Sequence, residues 1–180
     1  MSKLTNATGG DRRWWGVMPI LPAPYMGGIA KQMETTGFEG CFSLQIYGPP
    51  FVPMAAIAAM TDTLKVSTGI AVAGTRSPVE TAFAAMELDT ISQGRFVLGL
   101  GTSLHSALCG IYGEPKRKLI SHLREVVKVV RYINANAHKG LEPVRGEYFN
   151  ADWTEMMLTP PPIREAIPIW IAALKDKLSS

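Results

Sequence analysis

Apolar runs of strand length alternate with stretches of helical spacing along most of this chain. The first ten residues are polar and read as a flexible N-terminus; Trp14 to Leu21 (WWGVMPIL) then forms an apolar run bounded by the turn cluster Pro22-Ala23-Pro24. Helical spacing follows over 27–37 (GGIAKQMETTG), ending on Gly37, and a second apolar run, 38–46 (FEGCFSLQI), is closed by Gly48-Pro49-Pro50. The alanine-rich 53–63 predicts a second helix and the β-branched 64–73 (LKVSTGIAVA) a third strand. The next helix has the clearest local signals: Ser77 as cap, Pro78 at the first helical position, Glu80 for a capping box and Gly94 as a stop. A fourth strand lies in 94–106 (GRFVLGLGTSLHS). An amphipathic helix over 119–135 sets Leu119, Leu123, Val126, Val127, Val130 and Ile133 on one face, with Arg124, Lys128 and Arg131 on another. The turn-rich 139–166 has little periodicity and reads as an excursion before a fifth apolar run, 167–174 (IPIWIAAL).

Strands that are continuously apolar, rather than alternating, are buried on both faces, which requires parallel strands covered by helices. The class is therefore α/β, either a doubly wound open sheet or a (β/α) barrel, and in both the chemistry lies at the C-terminal ends of the strands. The glycine-rich end of the fourth strand, Gly99-Leu100-Gly101-Thr102-Ser103, invites a phosphate-loop reading. A dinucleotide fingerprint needs a third glycine where this chain has Leu104, and no Gly-Lys-Ser/Thr sequence exists for a P-loop. The physical reading that remains is a strand that finishes without bulk, where a flat ligand or a neighbouring strand approaches, with Thr102, Ser103 and His105 at its mouth; glycines that only relieve crowding are the alternative.

With 180 residues and 47% hydrophobic content, the chain suffices for one domain, taken as 11–180. Its net charge of +3 is spread out, apart from Arg12-Arg13 and Lys116-Arg117-Lys118, and no aromatics interleave, which argues against nucleic acid as a partner. Cys41 and Cys109 sit in apolar surroundings without metal-ligand spacing, so they read as small buried hydrophobes in a reducing compartment, and no metal is expected. The N-terminus lacks the apolar stretch of a signal peptide, and no apolar run is long enough to span a bilayer, so the expected location is cytoplasmic without membrane association.

The ordered set SQGRFVLGLGTS, LKVSTGIAVAGTRSPVETAFAAMELDTI and GFEGCFSLQIYGPPFVPMAAIAAMTDT, followed by HLREVVKVVRYI and PPPIREAIPIWIAAL, resembles the bacterial luciferase-like monooxygenase superfamily. The branch it is most similar to is that of the coenzyme F-420-dependent oxidoreductases. The resemblance runs from about Trp14 to Leu174. It implies a (β/α)8 TIM-type barrel with the ring of coenzyme F-420, or alternatively of FMN, lying across the C-terminal mouth.

On that analogy, Thr68-Gly69-Ile70 matches a bulge where a non-proline cis peptide backs the ring, with Gly69-Ile70 as the candidate bond. Gln45, Ile46 and Tyr47 align with positions that contact the ring, and where many relatives carry a histidine this chain does not. Gly101, Thr102 and Ser103 are implied cofactor contacts, as are the small residues Ala172 and Ala173. His105 and Gln45 are the candidates for a catalytic role. The implied chemistry is hydride transfer to or from a small organic substrate, or oxygen activation by a reduced flavin. YGPPF, 47–51, resembles the deazaflavin branch more than the luciferases.

A full barrel takes about 250 residues, so the expectation is a barrel truncated after about five strands. Such a chain completes itself as a homo-oligomer or with a partner chain; the alternative is a cofactor-free fragment acting only as an interaction or oligomerising subunit.

Overall fold

The computed structural model describes residues 13–46 and 48–172. Its core is a parallel sheet built from β1 (Trp15–Val17), β2 (Gly40–Ser43), β3 (Lys65–Thr68), β4 (Ala71–Val72), β5 (Phe96–Gly101) and β8 (Ile169–Ile171). The order runs β1-β2-β3-β5, with β4 continuing the β3 side of β5 and β8 on the other side of β5; every one of these pairings is parallel. A two-stranded antiparallel ribbon, β6 (Val144–Arg145) and β7 (Asn150–Ala151), lies in the excursion after the last helix.

Each strand exists because its apolar run is covered. All six residues of β5 are buried, and Leu64, Val66, Phe96, Leu98 and Leu100 form the centre of the core. Four helices cover the sheet: α1 (Ala23–Thr35), α2 (Phe51–Met60), α3 (Pro78–Ile91) and α5 (Leu119–Asn136). Three of the α3 signals act as read: Ser77 Oγ accepts the Glu80 N–H at 3.1 Å, Pro78 opens the helix, and Gly94, at φ +80°, turns the chain into β5.

Several elements depart from the sequence reading. Helix α1 starts at Ala23, inside the supposed turn cluster, because Pro22 serves as the N-cap residue and Pro24 occupies the first turn, where no N–H is needed. A short helix, α4 (His105–Ile111), follows β5 in a stretch where the sequence reading placed no helix. Cys109, expected buried, is exposed, because α4 buries only Leu108; Cys41 is buried as read, and burial pushes its thiol up to about 12. On α5 the buried face includes Val129 and His122 rather than Val127.

The sheet is curled. The border strands β1 and β8 lie at opposite ends of its order, yet the rings of Trp15 and Trp170 meet edge-on with centroids 4.6 Å apart. Trp14, Val17, Trp170 and Ile171 on these borders are exposed. No helix among the described residues is long and apolar enough to cross a membrane.

Candidate functional site

The site begins where the third strand breaks in two. Both β3 and β4 pair with β5, and between the pairs Ser67↔Val97 and Ala71↔Leu100 the first strand advances four residues against three on β5. The additional residue makes a bulge, and it would leave the Gly99 N–H and C=O without backbone partners on that side of β5. Thr68 supplies them from its side chain: its hydroxyl donates to the Gly99 carbonyl at 2.7 Å and accepts the Gly99 N–H at 2.9 Å. The Gly69 N–H in turn donates to the Ser43 carbonyl of β2 at 2.8 Å. The Gly69–Ile70 peptide bond is cis, at the position the resemblance marked.

The two glycines of β5 now have a physical account. A Cβ on Gly99 would overlap the Thr68 carbonyl oxygen, and one on Gly101 would stand 2.5 Å from Ile70 Cδ1. The glycines therefore admit the neighbouring bulged strand and the Ile70 side chain. A phosphate cradle is not what they form.

Above the bulge lies a cleft of about 780 Å³ at the C-terminal ends of the strands, within the range of small-molecule and cofactor sites. Gly69, Ile70 and Val72 form its floor, and Gln45 and Ile46 reach it from the end of β2. Gly101, Thr102, Ser103 and His105 reach it from the end of β5, and Ala172 from the end of β8. Thr68 lies beneath the floor, 1% exposed, with its hydroxyl engaged by Gly99. Tyr47 and Ala173 lie outside the described residues. The structure thus gathers nine of the twelve sequence-derived positions at one cleft.

The polar groups around this cleft are unequally available. Gln45 Oε1 accepts the Val72 N–H at 2.9 Å, and Nε2 donates to Thr75 Oγ1 at 3.0 Å and Tyr112 Oη at 3.3 Å. The Thr102 hydroxyl donates to the Ser103 carbonyl at 3.1 Å, and Ser103 takes a left-handed backbone at φ +57°. His105 is exposed at the start of α4.

Residues that the sequence reading did not assign to the site form the opposite wall. Lys118, the N-cap residue of α5, and Leu119 to Ser121 in its first turn line the cleft, as do Leu44 and Leu104. Lys118 is 79% exposed and stands 3.9 Å from the Glu147 carboxylate. The one available signal was the basic cluster 116–118 immediately before a helix, a position that the strand–helix order puts at the C-terminal rim. His122 faces the other side of that turn. Its Nε2 lies 2.9 Å from Arg117 Nη1, its ring meets Tyr148 edge-on, and burial and then Arg117 hold its pKa below the usual histidine value.

The sequence profile of the luciferase-like monooxygenase family matches residues 7–179. The chain belongs to this family. Among curated proteins, a Mycobacterium tuberculosis protein named as a candidate coenzyme F-420-dependent oxidoreductase is 29% identical over 169 residues, covering 89% of this chain and 48% of that protein. The chain spans about half the length of the curated relatives it matches.

Two solved structures share the fold of this luciferase-like chain. The coenzyme F-420-dependent tetrahydromethanopterin reductase of Methanopyrus kandleri superposes with TM-score 0.77 at 21% identity, over 92% of this chain and 51% of that one. The FMN-bound oxygenating constituent of 3,6-diketocamphane monooxygenase from Pseudomonas putida gives TM-score 0.72 at 17% identity, over 88% and 51%. The parallel α/β sheet is thus part of the TIM-barrel fold of luciferase-like proteins, and the family is one of oxidoreductases with flavin- and deazaflavin-dependent members.

Proposed function

We propose that this luciferase-like chain forms the N-terminal, cofactor-holding part of a coenzyme F-420-dependent oxidoreductase that moves a hydride between the deazaflavin and a small organic substrate. The observation that carries this reading is the cleft floor, Gly69 to Val72, set on a bulge and presenting Ile70 to an apolar cleft of about 780 Å³. A flat tricyclic ring fits such a floor: the carboxamide of Gln45 is turned into the protein, so the wall beside the floor is made by Leu44, Ile46 and Leu104. The F-420 choice draws on the curated relative named for that cofactor. FMN is the second reading, favoured by the FMN-bound structural neighbour.

When bound, either group supplies a ring carbon or nitrogen that accepts or delivers hydride. The residues of this chain orient that ring and keep water from it. Ile70 would back one face, and the apolar wall of Leu44, Ile46 and Leu104 would restrict solvent beside it. Lys118 is a rim cation that an anionic cofactor tail would meet, and His105, in the same lining, is a candidate for a proton exchanged with substrate.

A fluorescence titration of the purified chain with oxidised F-420 and with FMN tests this. Saturable F-420 binding, weakened about three- to tenfold in Lys118→Ala and further by added salt, is the expected result. Tighter binding of FMN than of F-420 would replace the first reading with the second, and a folded chain indifferent to both would refute the cofactor role.

A further inference from the structure

Gln45 lines the cleft, but its carboxamide is fully engaged away from it. A primary amide has two N–H donors, and here both are used, one toward Thr75 Oγ1 at 3.0 Å and one toward Tyr112 Oη at 3.3 Å. Its oxygen takes the Val72 N–H at 2.9 Å, and the Thr75 hydroxyl returns to the Val72 carbonyl at 2.9 Å. One side chain at the end of β2 therefore fastens both backbone groups of Val72, the last residue of the cleft floor, one directly and one through Thr75. It also fastens the residue that ends α4.

Helix α4 has little else to hold it. Leu108 is its one buried residue, packed beside Gly74, where an added Cβ would stand 3.0 Å from Leu108 Cδ2. Leu104 before the helix and Ile111 at its end are 64% and 75% exposed. A seven-residue helix with a single buried side chain sits at the low end of local stability, so a hydrogen bond at its C-cap carries a large share of its attachment.

We propose that Gln45 is a positioning residue: its carboxamide couples the cleft floor at Val72 to the α4 wall through Tyr112, and so fixes the width of the cleft in which the ring lies. The last clause rests on the cofactor reading above, while the coupling itself does not. An amide suits this role, since it stays neutral and keeps both donors across the pH range in which a histidine changes charge.

Hydrogen exchange with mass spectrometry, read beside the F-420 titration, tests both parts on wild type, Tyr112→Phe, Gln45→Leu and Gln45→Glu. Tyr112→Phe removes one oxygen and is expected to raise exchange over 105–112 about tenfold, leave the floor protected, and weaken F-420 about fivefold with an unchanged unfolding midpoint. Gln45→Leu should release the Val72 amide as well. Gln45→Glu, whose oxygens can accept from the Val72 N–H and from the Tyr112 hydroxyl while the Thr75 hydroxyl stays on the Val72 carbonyl, should restore most of the protection.

Unchanged exchange over 105–112 in Tyr112→Phe would overturn the coupling. Faster exchange with wild-type F-420 affinity would overturn the effect on cleft width. If the wild-type chain binds neither cofactor, the cofactor reading falls, and with it the clause on ring fit, while the exchange data still decide the coupling. Should Gln45→Leu fail to fold, Tyr112→Phe alone carries the test.

Discussion

Thr68 shows how one hydroxyl can stand in for a stretch of sheet. At a bulge the partner strand loses ladder bonds, and buried backbone groups left unpaired cost about 1–3 kcal/mol each. Thr68 is 1% exposed and satisfies both the N–H and the C=O of Gly99, while Gly99 lacks the Cβ that would block the approach. Thr68→Val keeps the shape and removes both bonds, so it is expected to lower stability by about 2–4 kcal/mol, read as a reduced urea midpoint with unchanged slope. Thr68→Ser keeps the hydroxyl and should lose under half as much. A larger loss in Thr68→Ser than in Thr68→Val would show that the methyl group, and not the paired hydrogen bonds, is what the site needs. None of this pairing was legible in the sequence, because Thr68 and Gly99 are 31 positions apart and no local spacing links them. The glycines were legible as a place of close approach, but what approaches is the adjacent strand.

At the scale of elements, the parts that announce themselves are those whose own residues dictate burial. The continuous apolar runs of β2, β3 and β5 and the Ser77 cap of α3 were read directly, since burial on both faces and capping are local demands. Helix α4 was missed because seven residues with one buried side chain, Gly110 and no side-chain cap leave no periodic trace. Long-range polar ties were also hidden, and two of them are testable. Asp89, 3% exposed on α3, accepts from Arg164 Nε at 3.0 Å and Nη2 at 2.5 Å, which pins the excursion before β8 onto the barrel helices. Asp89→Ala leaves that guanidinium half-buried without its carboxylate and should cost about 3 kcal/mol, measured by chemical denaturation.

Glu34, at the end of α1, holds the turn before β3. Burial would raise its pKa, but the Thr63 N–H and hydroxyl, with the N–H groups of Leu64 and Asp62, outweigh burial and lower it to about 2. A depressed carboxylate pKa means stability that is present above the unfolded value of 4.5 and is lost as pH falls toward 2. Glu34→Gln should therefore be less stable than wild type at pH 7, with the gap closing between about pH 4.5 and pH 2. A gap independent of pH would assign the effect to shape and not to charge.

For the molecule as a whole, the curl of the sheet and the state of its borders decide how the chain behaves in solution. Its two border strands, β1 and β8, each pair with a single neighbour among the described residues, and Trp14, Val17, Trp170 and Ile171 stand exposed beside them. In the (β/α)8 fold of the family no such border exists, because closure pairs the first strand with the last. The matched solved structures are about twice the length of the segment shared with this chain. Unpaired parallel strands flanked by exposed tryptophans are templates for association, since each offers unpaired backbone groups and apolar area at once. The 180-residue chain is therefore expected to associate in sedimentation velocity, with the fraction of larger species rising with concentration. Val17→Lys together with Ile171→Lys puts a charge on each border outside the cleft, and it should shift the distribution toward monomer while leaving cofactor titrations unchanged. If wild type and the double variant sediment alike at every concentration, the borders are not what drives association, and the Trp15–Trp170 contact across the curled sheet is sufficient closure for the chain on its own.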